Sequence, residues 1–66
     1  MKIEKDKIIV NPRGLRGRYK TLKSLVMLFD LKPKEGYGRC ISLSTIHLSD
    51  DDLRVLIALL NEYSVQ

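Results

Sequence analysis

Apolar and polar positions along the chain alternate in blocks that proline and glycine separate. Residues 3–10 end in Lys7-Ile8-Ile9-Val10, a β-branched run that Asn11-Pro12 stops, because proline cannot donate to a ladder. A strand is expected over about 3–10. Residues 11–17 hold two glycines and two arginines and read as a loop. Residues 18–31 are ambiguous. Leu22, Leu25, Val26 and Phe29 fit the helical template, while Leu25, Met27, Phe29 and Leu31 fit one face of a strand. Leucine, methionine and lysine favour helix, yet no good N-cap precedes the segment. Lys32 to Gly38 reads as a turn, with Pro33 opening it and glycine closing it. Arg39 to Leu48 reads as a strand. Its apolar phase flips at Ser44–Thr45, which marks a bulge, a bend or a change of partner. His47 follows the flip as a surface strand residue.

The last block is the clearest. Ser49 is an N-cap, Asp50, Asp51 and Asp52 complement the positive helix end, and Leu48 and Leu53 are spaced as a hydrophobic staple. The helix is expected to run to about Tyr63. Leu53, Leu56, Ile57, Leu60 and Tyr63 form one apolar face, and Val55, Ala58 and Leu59 a second. One small sheet cannot cover both, so Val55, Ala58 and Leu59 are expected at a homodimer interface.

Length and composition narrow the class. Sixty-six residues, 44% apolar and 30% charged, suit a single domain spanning 1–66. A chain this short buries only about 60% of its unfolded surface and gains from a partner. One cysteine, Cys40, allows no internal disulfide, and one histidine beside it cannot complete a structural zinc site. The acidic run is helix chemistry, so no metal and no cofactor are expected. Nothing places a nucleophile beside a base, and an enzyme is not expected. The charged start Met1 to Lys7 lacks an export signal, and the longest apolar run, Val55 to Leu60, is far short of the roughly 20 residues of a membrane span. A cytoplasmic protein without membrane contact is expected, with Cys40 as a free, packed thiol.

Charge adds the functional hint. Residues 1–39 carry +7 and residues 40–66 carry −3, for a net +4. No acidic residue lies between Asp6 and Asp30. Such a tract attracts a polyanion, and nucleic acid is the commonest. Arg13, Arg16, Arg18, Lys20, Lys23, Lys32, Lys34 and Arg39 are the candidate phosphate contacts, and Tyr19 and Tyr37 the candidate stacking rings. The loop Gly14-Leu15-Arg16-Gly17 offers exposed amides and a guanidinium group, which suit phosphate.

Gly38-Arg39-Cys40-Ile41-Ser42-Leu43 and the stretch from Ile46 to Leu56 resemble the last strand and helix of the positive-cofactor-four family of single-stranded-DNA-binding transcriptional coactivators. Two segments here, Ile41 to Ser44 and Ile46 to Ser49, match one family strand, and tryptophan is absent. The resemblance implies a dimer built through its helices, with curved antiparallel sheets forming basic channels. It also implies that residues 18–31 are a strand. The expected fold is therefore α+β, a small curved antiparallel sheet of about three strands with a C-terminal amphipathic helix. The alternative is a β-α-β-α order with 18–31 helical. The expected function is a dimeric nucleic-acid-binding module, single-stranded DNA or RNA for preference, acting in transcription or DNA metabolism beside a protein of the transcription or replication machinery. The alternative is a small protein-binding regulator of phage or plasmid type that docks on a host enzyme. In that case Tyr19 and Tyr37 should pack in the core.

Overall fold

The structure, a computed structural model, describes residues 1–65, and of Tyr37 only the backbone. The elements are β1 (Lys2–Ile3), β2 (Lys7–Val10), a 3-10 turn at Pro12–Gly14, α1 (Tyr19–Phe29), β3 (Lys32–Tyr37), β4 (Cys40–Ser44) and α2 (Asp50–Glu62). The strands form one sheet in the order β1-β2-β4-β3, every neighbouring pair antiparallel. Thus β2, α1 and β3 make a split β-α-β unit, with β4 running antiparallel between two parallel strands. The class is α+β, but the sheet has four strands rather than about three.

Residues 18–31 are not a strand. Gly17 at φ +81° and Arg18 at φ +48° turn the chain into α1, which starts without a side-chain cap. Only glycine fits the first of these positions easily, because a Cβ there would also collide with Thr21 Oγ1. That hydroxyl donates to the Arg16 carbonyl. Packing holds the helix instead of a cap: Leu22 and Leu25 are both buried in the core. Asp30 closes α1 in the left-handed region at φ +53°, and the Leu31 amide donates to the Val26 carbonyl at 2.9 Å.

The expected strand over 3–10 is instead a hairpin, broken at residues 4–6 into β1 and β2. Lys32 to Tyr37, expected as a turn, is strand. Proline is tolerated there because β3 is an edge strand, where its missing donor faces no ladder partner. The true turn is Gly38-Arg39, opened by Gly38 at φ +68°. A register shift lies between Lys34 and Tyr37. The phase flip at Ser44–Thr45 is where β4 ends. The Thr45 amide then donates to the Asp6 carbonyl at 2.9 Å, and the chain leaves the sheet. His47 sits in this connection rather than in a strand, with Nε2 3.0 Å from the Phe29 carbonyl.

The core lies between one sheet face and both helices. Ile8 and Val10 of β2 and Ile41 and Leu43 of β4 meet Leu22 and Leu25 of α1 and Leu56 and Leu60 of α2. Ser49 accepts from the Asp52 amide at 3.2 Å, with three acids in the first turn of α2. Ser49→Ala should therefore cost about 1 kcal/mol and lower the melting midpoint by several degrees, read by circular dichroism. An unchanged midpoint would show that packing alone holds the helix start. Among the described residues, no helix is long and apolar enough to cross a membrane.

Candidate nucleic-acid interface

The helices cover one face of the sheet, and strand alternation sends the other set of side chains outward. Ile8 and Leu43 pair and point into the core, so Lys7 and Ile9 of β2 and Ser42 and Ser44 of β4 lie on the open face. Ser44 pairs with Lys7 on one side and Lys32 on the other. Ser42 pairs with Ile9 and Lys34, and Ile9 pairs in turn with Lys2. Two rows of side chains therefore cross the sheet, Lys7-Ser44-Lys32 and Lys2-Ile9-Ser42-Lys34. Each row begins and ends with lysine.

The serines are short, so the lysines rise above a low floor. Asp6, Lys7, Lys32, Pro33, Lys34, Ser42 and Ser44 line the resulting trough, of about 520 Å³. Lys7 and Lys32 are two strand spacings apart, about 10 Å between backbones. Glu4 sits 3.7 Å from Lys2 Nζ and 3.6 Å from Lys7 Nζ and offsets part of the charge on that side. Among the described residues, Lys32 and Lys34 have no carboxylate within ion-pair distance, and both are exposed. The trough is thus most positive along β3. Its lysine ammonium groups and serine hydroxyls can bind phosphate oxygens.

The candidate contacts named from sequence do not form one surface. Lys32 and Lys34 lie in the trough. Arg39 is exposed in the β3–β4 turn, and Arg13 in the 3-10 turn. Lys20 and Lys23 are exposed on α1, which packs on the opposite sheet face. Arg18 is exposed at the start of that helix. Arg16 is engaged within the protein. Its Nη2 donates to the Glu62 carbonyl at 2.6 Å, its guanidinium lies 5.7 Å from the Tyr63 ring centre, and its amide donates to the Tyr63 carbonyl at 2.7 Å. A cation at the C-terminal carbonyls of α2 complements the helix dipole and ties the arginine loop to the chain end. Tyr19 is 63% exposed, so it is not a core residue. The Tyr37 side chain lies outside the described residues, and its backbone pairs with Cys40.

Lys7 lines the trough, with Lys2 beyond it on the same sheet face, and both were missed from sequence. The signal was available: Lys7 precedes Ile8-Ile9-Val10 in the phase opposite to the buried residues, and Lys32 and Lys34 flank Pro33 with the same period of two. The expected dimer stripe also divides. Val55 and Ala58 are exposed, but Leu59 packs partly against the core. Val55 shares a groove with Leu28 of α1, which is 70% exposed, and Met27 is exposed on the same helix. The apolar surface therefore spans both helices rather than α2 alone.

No family model, no curated protein and no solved structure matches the chain.

Proposed function

We propose that the protein is a nucleic-acid-binding module that holds the phosphate backbone of a single strand in the lysine trough. The observation that carries this reading is the placement of Lys7, Lys32 and Lys34 around the low floor of Ser42 and Ser44. A width of about 10 Å between flanking backbones suits one sugar–phosphate chain. The lining sets three lysines against one carboxylate, Asp6, and the three aspartates of α2 sit on the helix layer behind the sheet, so the trough is net positive. Contacts of this kind position a strand without reading its sequence. Three or four phosphate contacts should give a slope of log affinity against log salt of about −2 to −3 for a single strand. Fluorescence anisotropy of a labelled single-stranded oligonucleotide at several salt concentrations tests this. Binding that is absent even at low salt would remove the reading.

The helix layer favours a second, compatible contact. Leu28 and Val55 are exposed apolar side chains that share a groove between neighbouring helices, and such patches on small proteins mark interaction surfaces. We place the homodimer contact there. Both sheet edges argue against dimerisation by strand addition, because β1 is two residues long and β3 carries Pro33 and two lysines. Val55→Glu should shift the protein to monomer in light scattering at about 100 µM while keeping its fold. A wild type already monomeric at that concentration would instead leave this surface for a different protein, the reading of a small docking regulator.

A further inference from the structure

The edge strand β3 divides two surfaces. Lys32 and Lys34 face the trough, Glu35 faces a groove against α1, and Pro33 lines both. The groove has a volume of about 440 Å³, and its helical wall is Tyr19, Leu22, Lys23 and Val26. Its lining is mainly apolar, yet it carries two charged side chains, Lys23 and Glu35. No further strand lies outside β3, so only one strand width, about 5 Å, separates trough from groove.

We propose that this groove is a nucleobase site, which takes a base from the strand whose phosphates lie at Lys32 and Lys34. The inference rests on the trough reading and extends it from backbone to base. A single strand can splay its bases away from its phosphates and pass them over the β3 edge. A duplex keeps its bases paired and stacked inside. Tyr19 supplies an exposed ring at the first position of α1, and Pro33 supplies a rigid apolar wall opposite. Glu35 accepts from an exocyclic amino group, and Lys23 donates to a ring carbonyl. Cytosine offers both edges, whereas thymine and uracil offer no amino group. The chemistry therefore selects single strands over duplex and cytosine over thymine. It also gives Tyr19, Lys23, Lys32 and Lys34, which lie on two sides of the sheet, a common ligand.

The test uses short oligo-dC, oligo-dT and an abasic strand of equal length, titrated by anisotropy against the full chain and its variants. Wild type should bind oligo-dC about tenfold more tightly than the abasic strand. Tyr19→Leu should lose that advantage and leave abasic affinity unchanged, while Tyr19→Phe should retain it. Glu35→Ala should bring oligo-dC and oligo-dT to equal affinity. Lys32→Ala/Lys34→Ala should weaken all three strands together. Equal binding of oligo-dC and the abasic strand by wild type, with Tyr19→Leu silent, overturns the base site and leaves the trough standing. Unchanged affinity in the double lysine variant overturns the trough and the base site with it. Tyr19 and both lysines are exposed, so thermal melts of these variants should match wild type.

Discussion

Leu43→Ala is expected to leave the chain mostly unfolded at physiological temperature. Leu43 is fully buried at the centre of β4, paired with Ile8 on one side and Pro33 on the other. Its side chain meets the layer of Leu22, Leu25, Leu56 and Leu60. Removing a buried leucine to alanine costs about 2–5 kcal/mol, the transfer loss plus the cavity that remains. A core of this size rarely supplies more than about 3–5 kcal/mol in total. No disulfide offsets the loss, since Cys40 is the single cysteine and is free. Circular dichroism should show a weak, non-cooperative signal on heating. A cooperative transition near that of wild type would mean that the sheet–helix interface is not the main source of stability.

The largest functional effect is expected from Lys32→Glu/Lys34→Glu. Both side chains are exposed on an edge strand, so the fold should survive. Each reversal removes a charge-assisted contact to phosphate and adds repulsion. Two such contacts, at about 1.5–3 kcal/mol each, predict a loss of about a hundredfold or more at low salt. The salt slope should flatten by about 1.4, at 0.7 per phosphate contact on a single strand. Arg54→Glu, at an exposed position of α2, changes the net charge in the same direction but lies on the helix layer. It should weaken binding only slightly. A loss in log affinity from Arg54→Glu about half that of the double variant, in proportion to its −2 against −4 change in charge, would mean that net charge, and not the trough, drives binding.

Much of this arrangement was legible in the residues, and the parts that were not share a cause. Ser49 with its three aspartates located the start of α2, because a cap is a local signal that packing rarely overrides. The asymmetry of charge pointed to a basic surface. The phase flip at Ser44–Thr45 was visible, but the strand was expected to continue to Leu48, whereas β4 ends at Ser44. Residues 18–31 misled because the usual start signal is missing: Gly17 and Arg18 at positive φ do the work of a cap, and Leu22 and Leu25 hold the helix by burial. The resemblance to a coactivator strand then weighed toward the wrong element. Lys32 to Tyr37 misled because Pro33 and Gly36 suggest a turn, whereas an edge strand tolerates proline and the glycine lies within the register shift. Both errors concern tertiary placement. Whether a proline faces an empty edge, or a leucine finds a core, depends on elements distant in sequence. The same holds for the site. Lys7 is far along the chain from Lys32 and Lys34, and the three converge only because β2 and β3 flank β4. Arg16, counted among the phosphate contacts, meets instead a helix end 46 residues away.

The most direct test of the trough is residue-resolved. Amide chemical shifts should be recorded by NMR while a short single-stranded oligonucleotide is added at low salt. The account predicts that the largest changes fall on Lys7, Lys32, Lys34, Ser42 and Ser44, reverse on addition of salt, and spare Arg54, Val55 and Ala58. Changes centred on α2, or saturable binding with the open sheet face unmoved, would contradict it.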